Sequence, residues 1–229
     1  MLKRNYAREI NAIIGEWQSE TSVELASVFE LQAEVERLRK LSAAFIPKIK
    51  RIKNKALFIL ALDVSGSMGS FDVKMAEELD EIITASIRNA RYAEIDTRYI
   101  AYHTESSEVP KSKIFSGGKS GGTITSTSYE QINRTINAYE YQELDVFVIN
   151  VSDGDNLTSD NERCLRWLND ILPKVRSFDY VEINQYNRSS TLMSSYRHFE
   201  NPRFRKFIVR ERTEMYAVAK TIITEVSAN

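Results

Sequence analysis

The chain has 229 residues, 42% of them hydrophobic and 28% charged, with a net charge of −1. Such a chain can bury a sizeable core, and it carries no overall field that would draw it to nucleic acid or to an anionic membrane. The one cysteine, Cys164, excludes an intrachain disulfide; with no leader and no apolar run of membrane length, a cytoplasmic location without a membrane partner is expected.

Residues 1–54 read as an N-terminal helical extension and basic linker, and residues 55–229 as the main domain. Tyr6 to Gln18 has helical spacing, with Ile10, Ile13, Ile14 and Trp17 on one face. Thr21-Ser-Val-Glu24 has the form of a capping box. It opens a longer helix in which Leu25, Val28, Leu31, Val35, Leu38, Leu41 and Phe45 share a stripe that Pro47 ends. This region suits a helical hairpin or a partner-binding arm. The basic run Lys48 to Lys55 has opposite charges nearby and no interleaved aromatics, which argues against nucleic acid.

Ala56 to Leu62 is an unbroken apolar run, suited to a strand buried on both faces of a parallel sheet. A helix follows from Phe71. Ile95 to His103 reads as a second strand, ending in Thr104 and Glu105. Lys113 to Phe115 reads as a short strand whose direction is left open, and a helix is expected from about Ser126 to Tyr141. Further strands are expected at Asp145–Val151, Tyr180–Ile183 and Phe204–Val209, with helices at Asn161–Leu172, Thr191–Phe199 and Met215–Val226. Cys164, beside Leu165 and Leu168, reads as a small buried hydrophobe. Alternating strands and helices imply an α/β fold, a doubly wound and mostly parallel sheet with helices on both faces.

The apolar run stops at Asp63, and Asp63-Val-Ser65-Gly-Ser67 then sets one carboxylate and two hydroxyls at the carboxyl end of a strand, where ligands bind in open α/β sheets. Hard oxygen donors of this kind suit Mg²⁺ or Mn²⁺ and are a poor set for zinc. The competing reading is a turn whose serines cap the next helix. Two more loops follow strands or precede helices: Gly121-Gly122-Thr123 and Ser152-Asp153-Gly154. Gly118-Lys119-Ser120 is not a phosphate-binding loop, because Lys113 stands where that motif needs its first glycine.

The Asp-x-Ser-x-Ser loop and the two loops after it resemble, in the same order, the metal-ion-dependent adhesion site of von Willebrand factor A domains. The resemblance spans roughly residues 55 to 225 and implies a Rossmann-like fold. It also implies that Ser65 and Ser67 bind the metal through their hydroxyls, that Thr123 is a ligand from the second loop, and that Asp63 and Asp153 act mostly through bound water. His103-Thr104-Glu105, Gly118 to Thr123, and Ser152-Asp-Gly-Asp-Asn156 followed by Ser159-Asp-Asn161 and Cys164 resemble more narrowly the bacterial YhbH/YeaH family. Those proteins are associated with sporulation or stress, and the resemblance makes a PrkA-type serine kinase or a SpoVR-type protein the expected partners. His103, Glu105, Asp155 and Asn156 are expected at the rim or just behind the metal, with plain turn chemistry as the alternative for Asp155 and Asn156.

The function expected from these residues is Mg²⁺-dependent protein interaction in which a partner's Glu or Asp completes the ion's coordination, without catalysis. Two alternatives stand beside it: metal-dependent phosphoester hydrolysis, for which no clear general base emerges, and a metal-independent scaffold acting through the N-terminal helices.

Overall fold

The computed structural model describes residues 55–87, 92–116, 121–139 and 143–227. The expected helices and basic linker before residue 55, and the loop residues 117–120, lie outside the described residues. The elements in chain order are β1 (Lys55–Asp63), α1 (Ser70–Ile87), β2 (Glu94–Tyr102), β3 (Ser106–Val109), α2 (Lys111–Ile114), α3 (Thr125–Asn137), β4 (Leu144–Ser152), α4 (Asn161–Ile171), β5 (Ser177–Ile183), α5 (Thr191–Tyr196), β6 (Phe204–Val209) and α6 (Arg212–Ser227).

They form one six-stranded sheet in the order β3-β2-β1-β4-β5-β6, parallel except where β3 runs antiparallel to β2. The chain builds outward from β1 to β2 and β3 on one side, then returns to place β4 on the other. The β1–β4 boundary is therefore the topological switch point, and the loops after these two strands open onto its crevice.

The apolar run of β1 is buried from Ala56 to Asp63 because both faces of the sheet are covered. Its alternation divides the core. Phe58, Leu60 and Leu62 pack with Met75, Leu79 and Ile83 of α1 and with Met215, Ala219 and Ile222 of α6. Leu57, Ile59 and Ala61 face Tyr129 and Ile132 of α3, Cys164 and Leu168 of α4, and Leu192 and Tyr196 of α5. Cys164 is thus a buried core residue, as its spacing indicated. Among the described residues, no helix is long and apolar enough to cross a membrane.

One expected element is corrected. Lys113 to Phe115 is not a strand: Lys111–Ile114 forms a single helical turn after Pro110, with Ile114 buried. The edge strand is Ser106–Val109, paired from Tyr99↔Val109 to Tyr102↔Ser106. Its sequence lacks an apolar alternation; pairing with the backbone of β2, rather than burial, makes it a strand.

Candidate metal centre

Asp63 ends β1 opposite Tyr102 and is fully buried. One carboxylate oxygen, Oδ1, accepts the Ser65 N–H at 2.9 Å, bending the chain back after Asp63. The other, Oδ2, accepts the Ser152 hydroxyl at 3.0 Å, which ties the first loop to the end of β4. Ser65 is buried and Ser67 exposed, yet their hydroxyl oxygens stand 3.0 Å apart.

The second loop is drawn to the same edge. Gly66 N–H points to the Gly121 carbonyl at 3.5 Å, and Gly121 sits at φ 151, a conformation that favours glycine. Thr123 is buried, and its carbonyl accepts the Leu157 N–H of the third loop at 3.2 Å. The His103 carbonyl accepts the Ile124 N–H at 2.8 Å, so His103 lies against this loop, its Nδ1 2.9 Å from the Thr104 hydroxyl. Glu105 and Asp155 are exposed.

The third loop turns at Gly154, with φ 87, and Gly154 N–H donates to the Ser152 hydroxyl at 3.1 Å. Asp153 is half-buried, and its Oδ1 accepts the Asp155 N–H at 3.1 Å. Behind this turn lies Glu182, a buried carboxylate of β5 not singled out in the sequence. It accepts bonds from Tyr180 at 3.2 Å and from Asn184 at 2.9 Å. Burial pushes its carboxyl up from the ordinary range, and the charge of Asp153 adds to the effect. A carboxylate between Val181 and Ile183 in a strand buried throughout is the one signal the sequence offers for it.

Asn156 is buried and turned inward as a clamp on the neighbouring loops. Its Oδ1 accepts the Thr125 N–H at 2.9 Å, and its amide donates to Asn161 at 2.8 Å. Asp160, also buried, accepts the Ser126 N–H at 2.9 Å and the Ser126 hydroxyl. Asn156 and Asp160 of the Asp-Asn…Asp-Asn signature therefore satisfy buried N–H donors at the start of α3, the helix that follows Thr123.

These residues fit a small hard cation. Octahedral Mg²⁺ holds oxygens at about 2.0–2.1 Å, so neighbouring ligand oxygens stand about 3 Å apart. The hydroxyls of Ser65 and Ser67 have that spacing. Among the described residues no Lys or Arg forms an ion pair with Asp63 or Asp153. No group of three or more His, Cys, Asp or Glu side chains gathers to hold a metal among them, at this site or elsewhere; the candidate donors here are chiefly hydroxyls. Burial raises Asp63 to about 7, the charge of Asp153 adding to it while the Ser65 and Ser152 bonds offset part.

The folded state thus holds the Asp63 proton more tightly than the unfolded chain does. Its contribution to stability is fully present below the ordinary value of 3.8 and is lost as pH rises through about 7. The full swing is on the order of 4 kcal/mol. Melting curves in EDTA are expected to show falling stability between pH 5 and pH 8, with a smaller slope in Asp63→Asn; equal slopes would remove Asp63 as the cause.

A cleft of about 260 Å³ opens beside these loops, lined by Ser67, Asp72, Asp153, Asp155, Tyr186 and Arg188 among others. The sheet, the three loops at its switch point and this cleft define a von Willebrand factor A-like domain. Solved structures agree on the fold. A von Willebrand factor type A protein from Catenulispora acidiphila superposes with a TM-score of 0.57 at 14% identity, over 76% of this chain and 43% of that one. The manganese-loaded TRAP protein of Plasmodium vivax gives 0.54 at 16% identity, over 75% and 74%.

The chain belongs to the family described as "Protein of unknown function (DUF444)", which it matches over residues 7–225. A UPF0229 protein of Halalkalibacterium halodurans is 38% identical over 175 residues, 76% of this chain and 45% of the relative. One of Shouchella clausii is 40% identical over 171 residues, 74% and 44%. The chain spans less than half the length of these curated relatives.

Proposed function

We propose that this chain is a Mg²⁺- or Mn²⁺-dependent protein-interaction module. Ser65, Ser67 and Thr123 would hold the ion, with Asp63 and Asp153 behind it through bound water. The observation that carries the reading is the pair of hydroxyls 3.0 Å apart in front of a buried carboxylate that has no cationic side chain paired to it among the described residues. The bound ion supplies an electrophilic contact that an acidic side chain of a partner completes. The manganese carried by the Plasmodium relative of this fold is in keeping with it.

The chain's own groups do the rest. Ser152 holds the Asp63 carboxylate, Asp63 holds the Ser65 backbone, and Asn156 and Asp160 anchor the helix start that follows Thr123. Both Asp63 oxygens are engaged in these bonds, which suits an anchor rather than a nucleophile. Binding without turnover is therefore the proposal. The partners implied by the sequence resemblance, a PrkA-type kinase or a SpoVR-type protein, and a role in sporulation or stress belong to the same proposal, as does a cytoplasmic location.

Immobilised chain is expected to retain such a partner in Mg²⁺ and release it in EDTA, while Ser67→Ala retains none. Retention that ignores both EDTA and Ser67→Ala would sink the metal reading.

A further inference from the structure

The segment between β5 and α5 is built with more care than an exposed loop requires. Asn184, itself buried, accepts the Arg188 N–H at 2.7 Å and donates to the Arg188 carbonyl at 2.8 Å. The same amide donates to the buried carboxylate of Glu182 at 2.9 Å. Asn187 takes a left-handed conformation, φ 51, to close the turn. These bonds fix the backbone of a loop whose tip is exposed: Tyr186 is 71% accessible, and the Arg188 guanidinium lies over its ring at 5.2 Å.

Tyr186 and Arg188 line the cleft that also contains Ser67 and Asp153. Of the described residues lining it, Arg188 is the one cation, set against Asp72, Asp153 and Asp155. Asp72 is bonded to the Gly69 N–H at 2.8 Å and feels the Arg188 charge at longer range, but among the described residues Arg188 forms no close ion pair. A guanidinium held against an aromatic ring, with its hydrogen-bond donors still available, is suited to accept a carboxylate in two-point geometry.

We infer that Arg188, held by the Glu182–Asn184 clamp and flanked by Tyr186, receives a second carboxylate of the partner, so that the cleft takes a protein segment bearing two acidic residues. The inference rests on the proposed metal-dependent binding for the first of the two. The charge pattern supports it: an ion held at the hydroxyl cluster and the Arg188 guanidinium would be the two positive points of a rim whose other charged residues are Asp72, Asp153 and Asp155. That rim repels a segment bearing acidic residues at other spacings, which gives specificity.

The test is a selection from a random-peptide library displayed on phage, against the immobilised full chain in millimolar Mg²⁺, run in parallel with Arg188→Glu. Equal melting temperatures show that the exposed substitution leaves the fold intact. Wild-type chain is expected to select peptides with two acidic positions at constant spacing. Arg188→Glu should bind those peptides about tenfold more weakly, chiefly through slower association, and should select a basic residue at one of the two positions. Peptides with a single acidic position that bind Arg188→Glu unchanged overturn the inference, as does a selection that yields no binder. Binding that survives EDTA but still falls with Arg188→Glu overturns the metal reading and leaves the Arg188 contact standing.

Discussion

Millimolar Mg²⁺ or Mn²⁺ is expected to raise the melting temperature of the wild-type chain by about 5–10 °C and to leave Asp63→Asn and Ser65→Ala unmoved. An ion present at a hundred times its dissociation constant stabilises by about 2.7 kcal/mol, and each kcal/mol shifts a domain of this size by about 2–4 °C. Asp63→Asn separates the two roles of the buried carboxyl. The amide can still accept the Ser65 N–H and donate to the Ser152 hydroxyl, so the bonds of the native pair are retained in kind. It no longer carries a buried negative charge, so in EDTA at pH 8 this variant should melt above the wild type; in millimolar Mg²⁺ the gap should narrow, because only the wild type gains. A thermal titration in both conditions reads this narrowing. Parallel shifts in wild type and variants would place any metal effect elsewhere on the molecule.

Gly154→Ala is expected to lower stability by about 2–5 kcal/mol, or about 5–15 °C in melting temperature. The backbone there sits at φ 87, where a side chain costs about 1–2 kcal/mol. The added Cβ would also meet Glu182 Oε2 and Ser190 Oγ at 2.5 Å each, and forced packing of this kind costs about 1–3 kcal/mol. Neither neighbour can withdraw freely. Glu182 is held by Tyr180 and Asn184, and Ser190 caps α5 by accepting the Met193 N–H at 2.9 Å. The strain should spread to Asp153 beside it, so residual folded protein should respond weakly to Mg²⁺. Gly122→Ala is the control, since nothing lies within 4 Å of its added carbon. If Gly154→Ala melts like the wild type, the third loop is not held in the conformation described.

The clamp residues show how a polar motif leaves the role of each of its side chains open. Asp155, Asn156 and Asp160 follow one another closely in a polar loop, and by composition all three suit either a rim or a turn. Only Asp155 is exposed; Asn156 and Asp160 turn inward to the start of α3. Which way each side chain points depends on a helix that begins more than thirty residues earlier, and no local pattern carries that. Glu182 and Asn184 were missed for a related reason. Tyr180 to Ile183 reads as an ordinary buried strand, and the purpose of its carboxylate appears only when Gly154, Ser190 and the Arg188 loop come against it.

The sequence by itself determined the α/β class, the strands that form the parallel sheet, and the presence of a hydroxyl and carboxylate cluster at the end of β1. Those follow from periodicity and from where apolar runs stop, both of which are local. The tertiary structure alone decided the edge strand Ser106–Val109, which is made by pairing with β2. It also decided the 3.0 Å approach of Ser152 to Asp63 across 89 positions, and the partition of the acidic residues between cleft and clamp. Backbone pairing and the burial of charge depend on what lies opposite in space, and that is settled only when the strands have taken their order.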